Sequence, residues 1–248
     1  MPYEQMDEQQ VAAYLHMDAR ELLKLCCRGQ IPCLKIRGHF VFLKAEVDHW
    51  VESQMHRMDK RRLADIERGV SAHHGFDPSE LLVWPLIPDG GIAVPLQART
   101  RDAGIRALVD LAENAAMIHA REALIEGIQS REKLCSTALF PSVAIPHPRH
   151  PLPYDIAASF VVVGLTASGL PYGAEDGSLT RLFLLICCKD ERTHLHVLAR
   201  LGGMLQQRGA IEDLLACESV EALGRVLLRL ERSALEVRGS DVAPQPGT

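Results

Sequence analysis

Apolar residues first recur at helical spacing near the start of the chain. Val11, Ala12 and Leu15 follow Asp7, and Leu22, Leu23 and Leu25 follow Asp18. Each aspartate is the residue type that caps a helix N-terminus, and Gly29 is placed to stop the second helix. Two short runs, Cys33–Ile36 and Phe40–Leu43, then flank Arg37-Gly38-His39, a hairpin pattern with glycine at the turn. From Ala45 to Met58, Val47, Trp50 and Val51 predict an amphipathic helix. A charged stretch opening at Lys60-Arg61-Arg62 fades into Ser71-Ala72-His73-His74-Gly75, which reads as a linker.

Beyond the linker the pattern alternates between the two periods. Leu81–Trp84 leads to a turn at Pro88-Asp89-Gly90-Gly91 and a strand over Ile92–Leu96. Helices are predicted near Thr100–Asn114 and Ala120–Gln129. Val143 to Ile145 is a short apolar run closed by Pro146, which reads as a buried strand delivering His147 at its end. Ile156–Leu165 and Thr180–Cys187 read as core strands, and helices near His194–Arg208 and Ser219–Arg232 follow. Strands interleaved with helices predict an α/β sandwich. The expected organisation is a small module over 1–62, a linker over 63–78, an α/β domain over 79–232 and a disordered tail over 233–248.

Composition narrows the function classes. The formal net charge of −5 argues against a globally basic nucleic-acid binder while allowing a local patch. Seven cysteines form no C-x-x-C pair. Met1–Gln5 has neither the basic start nor the apolar core of a signal peptide. No apolar run approaches the roughly 18–20 residues needed to span a bilayer. The expectation is a cytoplasmic protein with reduced thiols and no membrane insertion. Cys187-Cys188, ending a core strand, are expected to be buried and inert.

A histidine at a strand end, with an upstream arginine and a second distant histidine, suits one chemistry well. Neutral imidazole is a nucleophile near physiological pH, so it can accept a phosphoryl group and pass it on. Phosphoryl transfer asks the protein mainly for positioning and charge stabilisation. His147, His150, His194 and His196 also invite a metal-site reading, but the spacing is loose and a carboxylate or cysteine partner is missing. No metal and no cofactor is expected.

The run Arg131-Glu132-Lys133-Leu134-Cys135-Ser136-Thr137, followed by Ala144-Ile145-Pro146-His147, resembles the IIA domain of the fructose, mannitol and nitrogen-regulatory phosphotransferase system. Tyr172-Gly173-Ala174-Glu175-Asp176-Gly177 and His194-Leu195-His196-Val197-Leu198-Ala199-Arg200-Leu201 continue the likeness in order, over roughly Ser79 to Glu231. The resemblance implies that His147 is the phosphorylated residue, that Arg131 holds phosphate oxygens, and that His194 sits beside the acceptor. Ser136 and Thr137 would add hydroxyl donors. It implies a phosphoryl-transfer intermediate instead of a conventional enzyme, with a phosphohistidine carrier of the HPr/NPr type as donor and phosphoenolpyruvate as ultimate source. One position departs from the family: Pro148 follows the acceptor histidine where glycine is usual. Proline supplies no N–H to a bound phosphate. Either Arg149 compensates, or the domain senses a partner without accepting phosphate.

The first fifty residues resemble the small winged helix-turn-helix of excisionase and MerR-type proteins. The likeness lies in Val11-Ala12-Ala13-Tyr14-Leu15, Arg28-Gly29-Gln30-Ile31-Pro32, Lys35-Ile36-Arg37-Gly38 and Glu46-Val47-Asp48-His49-Trp50. It implies DNA contacts from Arg20, Lys24 and Arg28 on the second helix. Lys35, Arg37 and His39 in the wing would add to them, with Lys44 just after. Asp7, Glu8, Asp18, Glu21, Glu46 and Asp48 nearly cancel these charges, and Val41 stands where the family's wing often has arginine. One such module makes few phosphate contacts, so useful affinity would need a homo-oligomer or a partner. Two readings follow. One is a regulatory fusion of nitrogen type, in which phosphorylation modulates DNA binding and transcription. The other is an interaction protein whose IIA-like domain docks a kinase or transporter and whose helix-turn-helix docks protein.

Overall fold

The computed structural model describes residues 4–54, 58, 60–75, 77 and 80–240. Asp7 caps α1 (Glu8–Tyr14) through a reciprocal box: its carboxylate accepts from the Gln10 N–H, and the Gln10 side chain accepts from the Asp7 N–H, both at 2.8 Å. Asp18 caps α2 (Ala19–Cys27) by accepting from the Arg20 N–H at 2.8 Å. The chain leaves α2 at Gly29, whose φ of 64° is a left-handed exit. The wing is β2 (Leu34–Ile36) and β3 (His39–Leu43), turning at Arg37 and Gly38 with φ of 52° and 93°. Positive φ at both turn residues suits a tight hairpin. A further strand, β1 (Gln5–Asp7), pairs with β3 to give the sheet order β1-β3-β2. Only Met6 of β1 is buried, so three residues carry too little alternation to announce a strand. The helix α3 (Lys44–Gln54) turns Val47 and Val51 inward; positions 55–57 of its expected span lie outside the described residues.

The second unit contains β4 (Ile92–Ala93), α5 (Arg101–Asn114), α6 (Arg121–Leu134), β5 (Val143–Ala144), β6 (Phe160–Leu170) and β7 (Thr180–Cys187). α7 (Glu191–Leu205), α8 (Ala210–Leu215) and α9 (Val220–Ser240) complete it. The sheet order is β4-β6-β7-β5; β6 and β7 are antiparallel, and each outer strand runs parallel to its neighbour. Alternate residues serve two cores. Val161, Val163, Leu184 and Ile186 face α7 and α9, whereas Phe160, Val162, Phe183 and Leu185 face α5 and α6. The result is a helix–sheet–helix sandwich.

Several expected boundaries are corrected. β4 ends two residues into the predicted Ile92–Leu96, because Pro95 has no N–H for the ladder; the Leu96 N–H nevertheless donates to Leu165 O at 2.8 Å. β6 begins at Phe160, not Ile156. α6 runs past Gln129 to Leu134 and carries Arg131 in its last turn. The tail expected from 233 begins as helix, since α9 extends to Ser240; positions 241–248 lie outside the described residues.

The expected linker is also corrected. Residues Lys60–His74 form a helix, α4, whose Leu63 and Ile66 are buried against α7 in a core shared by both units. Its polar composition reads as a loop, but packing of the buried stripe fixes it as a helix. Glu67, wholly buried, accepts from Arg200 Nε at 2.7 Å and from His196 Nε2 at 3.1 Å. Arg200 Nη1 also reaches Glu231 at 3.3 Å and donates to Glu80 O at 3.1 Å. Glu231 in turn accepts the N–H groups of Leu82, Val83 and Trp84 at 2.7, 2.7 and 2.8 Å. Close approach of backbones is built in: a Cβ on Gly69 of α4 would lie 2.5 Å from Tyr14 O of α1.

Breaking a buried ion pair by removing one partner costs about 3–5 kcal/mol. Glu67→Ala is expected to lower unfolding stability by about that amount, read from urea midpoints. A loss below about 1 kcal/mol, the size of an exposed pair, would show that Arg200 finds another acceptor.

Candidate functional site

β5 and β7 are parallel neighbours, with Val143 opposite Leu182 and Ala144 opposite Phe183. Their carboxyl ends therefore open at the same end of the sheet, where side chains leave the core for a ligand. β5 continues through Ile145 and Pro146 to His147, and Pro146 O accepts the Ile186 N–H at 3.0 Å. β7 continues into α7, whose first turn carries His194. Asp190 caps that turn, accepting from the Thr193 N–H at 2.9 Å and from its hydroxyl at 2.8 Å. The two imidazoles meet with centroids 5.0 Å apart and planes inclined by 56°.

His147 is 2% exposed, and its Nδ1 lies 2.8 Å from Ile145 O. A carbonyl only accepts, so Nδ1 carries the proton and the lone pair of the neutral ring is on Nε2. Arg131 is buried at the end of α6, where Nη1 donates to Cys135 O at 2.9 Å. Its Nε is buried with no hydrogen-bond partner among the described residues. Such a donor costs about 1–3 kcal/mol, a cost that a bound anion removes.

Ser136 is half-buried; its hydroxyl donates to Tyr172 O at 3.4 Å and accepts from the Ala138 N–H at 3.2 Å. Thr137 departs from the sequence expectation. It is fully buried and its hydroxyl donates to Glu132, so that group is already committed inside the protein. Pro148 is buried on α6, where Gly127 makes room: a Cβ there would meet Pro148 Cβ at 3.4 Å. Arg149 and His150 are exposed. Of the four histidines, His196 turns instead to Glu67. Among the described residues no group of three or more histidine, cysteine or acidic side chains is gathered for a metal ion.

Three residues of this region were not singled out by the sequence. Glu132, buried next to Arg131, accepts from the Thr137 N–H at 3.2 Å as well as from its hydroxyl. Burial pushes its carboxyl above the ordinary value, against the opposing hydrogen bonds from Thr137 and the charges of Arg131 and Arg101. The Tyr172 hydroxyl sits against Glu132 and Thr137 and is pushed well up, first by burial. Arg101 opens α5 close to Gly173, where a Cβ would lie 3.7 Å from Arg101 Nη1 and 3.3 Å from Ser136 Oγ. Adjacency to Arg131 was the one signal available for Glu132. Cys187 and Cys188 are buried as expected, and desolvation pushes the Cys187 thiol well up.

In the first module Arg20, Lys24, Arg28, Lys35, Arg37 and His39 are all exposed. Arg20 and Lys24 lie four residues apart on α2, and Arg28 is its C-cap. Lys35 Nζ sits 5.6 Å from the centre of the Phe40 ring. Lys44 is corrected: it is buried and bound to Asp48 at 2.7 Å, and Asp48 also accepts the Tyr14 hydroxyl at 2.8 Å. Among the described residues no helix is long and apolar enough to cross a membrane.

The protein-family model described as phosphoenolpyruvate-dependent sugar phosphotransferase system, EIIA 2, matches residues 86–229, and a helix-turn-helix domain model matches residues 6–55. The chain is 27% identical over 143 residues to the fructose-specific EIIABC component of the PTS system of Bacillus subtilis, covering 57% of this chain and 22% of that protein. It therefore spans less than a quarter of that relative's length. It is 26% identical over 130 residues to the fructose-specific EIIA component of Haloferax volcanii, covering 52% of this chain and 82% of that one. Among solved structures, nitrogen regulatory protein IIA-Ntr from Neisseria meningitidis is similar with a TM-score of 0.52 and 25% identity, covering 58% of this chain and 97% of that one.

The raised carboxyl of Glu132 has a consequence for stability. Its contribution is fully present below the ordinary glutamate value of 4.5 and is lost as pH rises through the raised value in the fold. The stability of the native protein relative to Glu132→Gln is expected to fall from acid towards neutral pH. Urea midpoints of both proteins across that range check this; a difference that stays flat or grows with pH contradicts it.

Proposed function

Because the chain belongs to the EIIA 2 family of the phosphoenolpyruvate-dependent sugar phosphotransferase system, we propose that His147 accepts a phosphoryl group on Nε2. The donor is a phosphohistidine carrier, and the helix-turn-helix module gives the phosphorylation state a regulatory output. The observation that carries this reading is the paired imidazoles, with His147 Nδ1 held by Ile145 O. The Nε2 lone pair attacks phosphorus, the carrier's N–P bond breaks, and its electrons return to the carrier nitrogen. Nδ1 keeps its proton throughout. His194 and the buried Arg131 Nε supply donors for the phosphoryl oxygens, with the exposed Arg149 standing in for the N–H that Pro148 lacks.

The new group adds roughly −1.5 to −2 charges beside the first turn of α7. That helix also carries His196 and Arg200, which hold Glu67 of α4, and α4 packs on α1. A shift at the start of α7 therefore has a continuous route of packed and hydrogen-bonded groups to the helix-turn-helix. The attached module and the likeness to a nitrogen regulatory IIA protein favour a regulatory role over a purely sugar-transferring one. The free cysteines fit a reducing, cytoplasmic compartment. DNA is the output partner suggested by Arg20, Lys24, Arg28 and Arg37, and a homo-oligomer would multiply the phosphate contacts.

A second reading is favoured by the wing itself. Leu34 and Ile36 are 61% and 48% exposed on one face of β2, an apolar surface suited to a protein partner such as a kinase or transporter.

Incubation with a phosphoenolpyruvate-charged carrier should label the native protein, abolish the label in His147→Ala, and slow labelling on the order of 10²-fold in His194→Ala. Native protein that takes no label from a competent carrier overturns the phosphorelay. For the output, Arg37→Ala should weaken DNA binding and reduce its salt dependence by about one phosphate contact. Binding that ignores salt and Arg37 would favour the protein-docking reading.

A further inference from the structure

The imidazole of His147 is held at the end of a chain of hydrogen bonds that begins inside α6. Glu132 accepts both the N–H and the hydroxyl of Thr137. Thr137 O accepts the Ile145 N–H at 3.1 Å. Ile145 O accepts the Nδ1–H of His147 at 2.8 Å. These bonds tie the loop held by Glu132 to the end of β5, and the last decides which ring nitrogen keeps the proton. Glu132, Thr137, Ile145 and His147 are all buried, so water does not compete with the bonds between them. We propose that Glu132 is a positioning residue that sets the tautomer and orientation of His147 through Thr137 and Ile145. This rests on the reading of His147 as the phosphoryl acceptor, and it says what makes Nε2 the nucleophile.

The geometry explains why an acid is buried there at all. Glutamate provides two acceptor oxygens at one point, one for the Thr137 N–H and one for its hydroxyl. Leu139 N–H also donates to Thr137 O at 2.9 Å, so the same carbonyl anchors the loop on one side and β5 on the other. With Glu132 removed, the Thr137 N–H and hydroxyl are left buried without their acceptor, and the segment that holds the Ile145 N–H shifts to satisfy them. The Nδ1–H then loses its acceptor. A ring protonated on Nε2 has no lone pair there to attack phosphorus.

The test uses the full-length chain with Glu132→Ala, Thr137→Val and Thr137→Ser. Two readouts are taken: the ¹⁵N NMR signature of the His147 ring, and the rate and carrier KM of phosphoryl uptake. Thr137→Val keeps the shape of the side chain and removes only the hydroxyl, so it serves where Glu132→Ala does not fold. Folded Glu132→Ala or Thr137→Val should show a loss of the Nδ1–H tautomer. Uptake should be about 10- to 100-fold slower, with KM for the carrier unchanged. Thr137→Ser should restore both. A folded variant that keeps the native ring signature overturns the inference. Failure of the native protein to take up phosphate would instead overturn the phosphorelay, and the NMR readout would still decide the role of Glu132.

Discussion

The guanidinium of Arg200 is wholly buried, and an isolated charge there would cost several kcal/mol. Two carboxylates from distant parts of the chain answer it: Glu67 of α4 and Glu231 of α9. Glu231 spreads the constraint further by accepting three successive N–H groups at residues 82–84. The entrance to the α/β domain, its last helix and the helix preceding it are thus gathered on one side chain of α7.

The same helix begins at the candidate site. His194 lies in its first turn, His196 and Arg200 in the turns that follow, so one rigid element touches both the paired imidazoles and the Glu67 network. At the other side of the site, Arg131 and Glu132 are consecutive residues at the end of α6 with divided tasks. Arg131 keeps a buried Nε available, whereas Glu132 is fully engaged with Thr137. A site with one buried guanidinium nitrogen unspent beside a fully engaged carboxylate suits the proposed transfer, which would depend on placement and charge.

Local chemistry was the legible part of the sequence. Asp7 and Asp18 cap the helices they precede, Thr100 begins α5, and Gly38 sits at the turn of the wing, because caps and turns depend on a few neighbouring atoms. Less legible were elements whose signal lies in their neighbours. β1 exists because β3 offers it an edge, and α4 is a helix because α7 covers Leu63 and Ile66. Thr137 was expected to face phosphate and Lys44 to face DNA; each has a buried acid within reach, Glu132 and Asp48, that composition alone does not place.

By itself the sequence determined most of the helices and core strands, the helix-turn-helix and EIIA 2 likenesses, and the histidines and arginine on which the proposed phosphoryl transfer rests. Those properties follow from periodicity, caps and the chemistry of single side chains. The tertiary structure decided which of those residues meet. It brought His147 to His194 through the parallel pairing of β5 and β7, and it buried Glu132 beneath Thr137. It also made a packed helix of an apparent linker. Each depends on contacts between residues far apart in the chain, whose energies exist only once the sheet and its covering helices have assembled.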